Sequence, residues 1–556
     1  MTREAQGLNG LELDVAVIGA GFAGLYALKK VRDDLDLNAQ AFDDAGGVGG
    51  TWYWNRYPGC RVDTEAHVYQ YSFDETLMKE WEWSERYPLQ PEVLSYMNAV
   101  ADKHDLKRSI NFSTRIVKAE WIEDLAKWEL TTAGGQTFRA KFVIEGVGLL
   151  SSTKVPSFPG EADFKGIVHH AARWPDDADL SGKRVAVIGT GSTGTQMIVE
   201  LSKSVDELFV LQRTPQYVVP LGCGPFPEHE RARIKEDPAA FRDWQLDTAA
   251  VFGFKEATIS AHDVTAEERE RVFEDAWQNG NGFAFMLNTF SDIIVDEAAN
   301  KAATDFVRKK ISEIVDDPET AEKLMPSDFY AKRPLATDDY YETFNKDNVT
   351  LVDVKEDRID RILAEGLKLQ SGRVIEVDVI IYATGFDAIT GNYLKIDTTG
   401  RDGLALADKW KDHPTAMMGL CISGFPNMFM IFGPFSPFTS QPLVHEWQVN
   451  WIAGAIKETL DRGAGSFEVT QKAEDEWVKA CDEVAAMTLF SKTDSWINGS
   501  NVEGKSRQNY FYMAGMAQYM SDVKDITDAG YKGFAFGEEP GTNAESATRP
   551  TSVANS

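Results

Sequence analysis

At 556 residues, with 43% hydrophobic and 26% charged side chains, the chain is too long for one ordinary domain and has the composition of a soluble globular protein. A formal net charge of −30 argues against nucleic acid or an anionic membrane as partner, so an anionic ligand must be held by local cations against the overall field. No apolar run approaches the roughly 18 residues of a membrane span, the start lacks the basic-then-apolar order of a signal peptide, and Cys60, Cys223, Cys421 and Cys481 form no CxxC pair for zinc or dithiol chemistry.

Together these features predict a reduced, cytoplasmic protein without a metal site; they leave its oligomeric state open. Residues 1–12 are polar and are expected to be disordered, as is the tail 536–556. Asp14–Ile18, DVAVI, reads as a buried parallel strand and runs directly into Gly19-Ala-Gly21-Phe-Ala-Gly24. That context makes the glycines a dinucleotide fingerprint: one for the turn, one for close approach of a pyrophosphate, one for helix–strand packing. The segment 164–175, FKGIVHHAARWP, holds two adjacent histidines with no Cys, Asp or Glu cluster beside them, which argues against a metal site. A catalytic histidine and a connector both remain open for it on the residues alone.

Arg184–Ile188, RVAVI, repeats the first strand and leads into Gly189-Thr-Gly191-Ser-Thr-Gly194. Twenty-four residues beyond the first glycine of each motif stand Asp43 and Arg213, each at the end of the second predicted strand of its unit. An acid there accepts from a free ribose 2′-OH, whereas an arginine pairs with a 2′-phosphate. The first site is therefore expected to hold a dinucleotide with a free ribose and the second NADP(H), with Thr214 adding a hydroxyl to the same phosphate. From about 226 to 330 the chain turns acidic and amphipathic, with a capping box at Thr265 and Glu268, and predicts an inserted helical subdomain. Strand character returns at VDVIIYATGFD, Val377–Asp387, whose Ala-Thr-Gly suits a backbone lying close to a cofactor. Two such sites in one chain usually mean FAD and NADPH. Flavin reductases, disulfide reductases and monooxygenases all fit that pair, although Cys60 alone gives a disulfide reductase no redox partner.

The segment 164–175 also resembles, at Phe164, Gly166, His170, Trp174 and Pro175, the fingerprint of the Baeyer–Villiger monooxygenases, particularly the cyclohexanone monooxygenase type. The stretch GTWYWNRYPGCRVD is similar to a second signature of that family through Gly50, Trp52, Tyr57, Pro58, Gly59 and Asp63, and further family-like blocks run to about Met520. The resemblance implies an α/β fold of two Rossmann-like dinucleotide-binding domains with the helical insertion. The FAD-binding domain would take 1–150 and 381–535, the NADP-binding domain 151–225 and 331–380, and the helical insertion 226–330. It implies an FAD- and NADPH-dependent enzyme that inserts oxygen beside a ketone, through a C4a-peroxyflavin, to give an ester or lactone. The alternative is a flavin monooxygenase that oxidises sulfides or amines.

Residue by residue, the resemblance implies Arg333 as the active-site cation and Asp63 as its acid, and we expect the two to pair. Lys332 is expected to turn the other way and join Arg213 and Thr214 on the 2′-phosphate. Thr51, Trp52, Asp63 and Tyr69 are expected to touch the flavin. Trp496 is expected to cover nicotinamide or substrate, in a loop that has Glu503 where the family has proline. Phe438, Gln441, Leu149 and Leu150 are expected on the substrate wall, with Gln441 standing where an apolar residue is common. Within the fingerprint, the resemblance favours a connector over a proton-transfer role for His170.

Overall fold

The computed structural model describes residues 7–540. Two sheets organise it. The first has β1 (Glu12–Ile18) at its centre, flanked by β2 (Ala39–Phe42) and β3 (Ile110–Asn111) on one side. On the other side lie β6 (Thr137–Glu145), β5 (Lys127–Thr132), β4 (Ile116–Ile122) and an edge strand, Asp397–Thr399. Strands β1, β2, β3 and β6 run parallel, and Met428–Met430 joins the C-terminal end of β6, also parallel. The four residues Val15–Ile18 are buried on both faces, which is why this end of β1 is a continuous apolar run and not an alternating one.

The second sheet is wholly parallel, in the order Val349–Asp353, β9 (Glu207–Gln212), β8 (Arg184–Ile188), Val379–Tyr382 and β7 (Ile167–His170). In each sheet a glycine turn leads from the central strand into a helix, Phe22–Lys29 in the first and Ser192–Leu201 in the second. The chain is thus α/β with two dinucleotide-type units. Within the second unit, between β9 and Val349–Asp353, residues 228–324 form six helices. Ala266–Asn279 opens on the reciprocal Thr265–Glu268 cap and buries Phe273 and Trp277, four residues apart and so on one face.

Three expected boundaries shift. The division at 380/381 falls inside the strand Val379–Tyr382, which pairs with both β7 and β8, so the second unit extends through Tyr382. The tail expected from 536 does not start there: Phe534–Gly537 pairs antiparallel with Ser466–Val469, and the Phe534 and Phe536 rings pack on Phe467. At the other end, Leu8 is buried and the Gly10 amide donates to Thr137. In both places apolar side chains in otherwise polar stretches provide the anchor. Residues 1–6 and 541–556, for which disorder was also expected, lie outside the described residues. Among the described residues no helix is long and apolar enough to cross a membrane.

Candidate active site

The C-terminal ends of β1, β2, β8 and β9 open onto one cavity of about 1130 Å³, larger than the roughly 300–1,000 Å³ of a single-ligand pocket. Ten Lys and Arg side chains line it against four aspartates, in a chain whose net charge is −30. The cavity therefore gathers the local cations that anionic ligands require. Lining it are Gly19, Gly21, Asp43, Gly50, Thr51, Trp52, Asp63, Tyr69, Leu149, Leu150, Gly189, Gly191, Arg213, Thr214, Lys332, Arg333, Phe438, Gln441 and Trp496.

Gly24 and Gly194 do not line the cavity, and their surroundings explain why they are glycine. A Cβ on Gly24 would stand 1.9 Å from the Gly19 carbonyl oxygen, and one on Gly194 2.2 Å from that of Gly189. Each third glycine is needed by the helix–strand contact itself. The middle glycines differ: a Cβ on Gly191 would meet nothing within 4 Å, and one on Gly21 only Gly50, at 3.5 Å. The protein leaves room there, beside the first amides of a helix, and that space fits a pyrophosphate.

Asp43 sits at the first of these turns. Its carboxylate accepts from the Ala20 amide at 2.6 Å and the Ala45 amide at 2.7 Å, which fixes the acid against the glycine loop with lone pairs to spare for a ribose. Burial raises its pKa and the two amides pull it back. At the second turn Arg213 is exposed to the cavity mouth and, among the described residues, makes no ion pair. Lys332 also lines the cavity and pairs with Asp328 at 2.5 Å, whereas its neighbour Arg333 pairs with Asp63.

Arg333 and Asp63 form a two-pronged ion pair, one prong measuring 2.8 Å from Nη2 to Oδ1. The guanidinium also lies over the Phe283 ring, 5.4 Å from its centroid. Burial works against its charge, but Asp63, with Tyr69 and Tyr57 behind it, outweighs this and holds the pKa above the ordinary arginine value. Trp52 donates its indole N–H to the Tyr69 hydroxyl at 3.2 Å, edge to face, so these two rings stand as a unit beside the pair. A partly buried, permanently charged, oriented cation in a two-nucleotide cavity is suited to stabilising negative charge on a reacting group.

Comparison with known proteins agrees with this geometry. Residues 12–222 match the flavin-binding monooxygenase-like family. The chain is 48% identical over 525 residues to a Baeyer–Villiger monooxygenase of Pseudooceanicola batsensis, covering 94% of this chain and 96% of that one. It belongs to the flavin-dependent Baeyer–Villiger monooxygenases. It is also 46% identical to the phenazine N-monooxygenase PhzNO1 of Lysobacter antibioticus, over 95% of this chain and 97% of the relative. The NADP⁺-bound crystal structure of cyclohexanone monooxygenase from Rhodococcus sp. Phi1 superposes with a TM-score of 0.94 at 45% identity, covering 95% of this chain and all of that one.

In this Baeyer–Villiger monooxygenase the fingerprint residues Phe164, Gly166, His170 and Trp174 do not line the cavity, although Arg173 between them does. A Cβ on Gly166 would strike the Asp378 carbonyl at 2.3 Å and the Phe164 ring at 2.5 Å, so the strand can dock on its sheet only with glycine there. Trp174 is buried against the His169 ring, Arg173 stacks 3.8 Å over Trp54, and Asp176 pairs with Arg56. The stretch thus ties the second sheet to the TWYWNR segment of the first unit. His170 accepts from the Ala172 amide through Nδ1 at 3.1 Å, and its Nε2 is sealed without a partner. Trp496 sits on a short turn capped by Ser495 and Asn498. Beyond it Asn501 donates to the Phe386 carbonyl and Lys505 to Asp387, latching the segment onto ATGFD, with Glu503 exposed between the two.

Sequence reasoning missed part of the wall. Phe252 and Phe283 come from the helical insertion, stacked at 3.9 Å, and Phe283 meets Phe438 at 6.4 Å. Nothing in FGF or GFAFM distinguishes them from ordinary core. Lys154, Lys355 and Arg358 also line the cavity from loops with no motif, and Lys395 lines it from the short helix Tyr393–Lys395. His445 and the buried Glu145, next to the cavity-lining Gly146, were not singled out either.

Proposed function

We propose that this enzyme uses NADPH and O₂ to convert ketones to esters or lactones, with FAD in the first glycine turn and NADP(H) in the second. The Arg333–Asp63 pair carries this reading. Bound flavin supplies electron transfer and oxygen activation. The protein's part is electrostatic and steric. Arg333 favours the deprotonated form of an acidic ligand group beside it and stabilises the oxyanion that forms when a carbonyl is attacked. Asp63 orients the guanidinium and offsets the cost of burying a lone charge. Phe252, Phe283 and Phe438 supply an aromatic wall that suits an apolar ketone and excludes water. The Asp43 ribose contact and the Arg213 phosphate contact divide the two nucleotides, with Thr214 and Lys332 beside the latter.

The relative named for phenazine N-oxidation supports a second reading, oxidation of a ring nitrogen or a sulfide. Soft nucleophiles have less need of a fixed cation, which favours the ketone. The deciding experiment incubates purified holoenzyme aerobically with NADPH and a panel of cyclic, linear and aryl ketones, with thioethers and N-heterocycles as controls. Mass gains of one oxygen on ketones support the proposal; gains confined to the controls overturn it.

Arg213→Ala is expected to raise the KM for NADPH by at least tenfold while that for NADH changes less than twofold, because only NADPH carries the phosphate. Equal effects on both coenzymes would remove its role as a phosphate clamp.

A further inference from the structure

The helix Gln441–Asp461 begins at the cavity wall, and Gln441 and His445, four residues apart on one face, both line the cavity. Neither side chain has a hydrogen-bond partner among the described residues. The preceding residues fix where this face points. Thr439 donates to the Ala250 carbonyl, beside the Phe252 wall, and Ser440 donates to the Val68 carbonyl, beside Tyr69. The His445 ring is only 7% exposed and stands edge to face on Phe432 at 5.7 Å. Its Nδ1 is sealed without a partner, which leaves Nε2 as the nitrogen that can meet a ligand. Burial lowers its pKa to about 3, so the ring is neutral across the working range. A buried polar group left unpaired by its own protein is costly unless a ligand completes it.

Resting on the ketone-oxygenation reading, we propose that His445 and Gln441 form a neutral hydrogen-bonding pair that reads an uncharged polar group of the ligand seated near Arg333, either a second oxygen of the substrate or the polar edge of the flavin. The pair is uncharged and sits between aromatic walls, so the group it takes is a hydroxyl, carbonyl or amide, not a carboxylate or phosphate. On a substrate, that favours ketones bearing a second oxygen over plain hydrocarbon ketones.

The test compares unaltered holoenzyme, His445→Leu and His445→Asn. Two quantities are read: the ratio of kcat/KM for 4-hydroxycyclohexanone over cyclohexanone, and FAD dissociation together with the flavin absorption spectrum. If the substrate supplies the group, His445→Leu lowers the ratio about tenfold with the spectrum unmoved, and His445→Asn restores part of it. If the flavin supplies it, His445→Leu shifts the spectrum and speeds FAD loss about tenfold, with the ratio held. Both quantities staying within about twofold overturns the proposal. Should His445→Leu fail to fold, Gln441→Leu decides the matter by the same two readouts. Failure of the ketone reading itself would look different: unaltered holoenzyme would give no ester from either ketone.

Discussion

Arg333→Ala is expected to abolish ester formation, by at least 10²–10³-fold in kcat, while NADPH still reduces the flavin at near its normal rate. The asymmetry follows from placement. The guanidinium is held by Asp63 and Phe283 and faces the Trp52–Tyr69 side of the cavity, whereas Arg213 lies at the cavity mouth, where the phosphate is expected. Oxygen consumed without ester should then appear as hydrogen peroxide. Rapid-mixing absorbance separates flavin reduction from product formation, and mass analysis counts the ester. Arg333→Lys keeps a charge but loses the two-pronged contact with Asp63, so it should recover only a small part of the activity. A normal lactone yield from the alanine variant would defeat the role assigned to this residue, and loss of flavin reduction alone would move Arg333 to the NADPH site.

How much of this was legible in the sequence depended on how local the constraint was. The glycine turns are set by contacts between residues five apart, Gly19 with Gly24 and Gly189 with Gly194, so the sequence carries the whole requirement. The acid and arginine at the same offset are likewise fixed by strand length. The Arg333–Asp63 pairing spans 270 positions and came from family resemblance, not from spacing. The cavity's aromatic side was illegible because Phe252 and Phe283 reach it only through the packing of the helical insertion, where one phenylalanine reads like another. The misplaced ends have the same cause: Phe534 and Phe536 find Phe467 across a sheet edge that no local pattern announces.

Glu145 closes β6, and both of its carboxylate oxygens are buried with no hydrogen-bond partner. Burial alone raises its pKa to about 8. Nearby Tyr393, whose own pKa is raised by burial and then by Glu145, turns its hydroxyl to the Ile431 carbonyl at 3.2 Å instead. The unfolded chain ionises this carboxyl near 4.5, and the folded chain near 8. Between those values the unfolded state holds fewer protons, so stability falls as pH rises; below 4.5 ionisation adds no penalty, and above 8 the full ionisation penalty stands. The penalty is on the order of 5 kcal/mol across the window. Glu145→Met removes the ionisation, so the stability of the variant relative to the unaltered protein should rise by about that amount between pH 4.5 and pH 8. Denaturant titrations of the holoenzyme at several pH values measure this directly. Gly146, the next residue, packs on Gly19 at the first nucleotide turn, so FAD retention by the unaltered enzyme should weaken over the same interval and that of the variant should not. Parallel stability profiles for the two proteins would show that Glu145 finds a partner or water in solution and carries no such penalty.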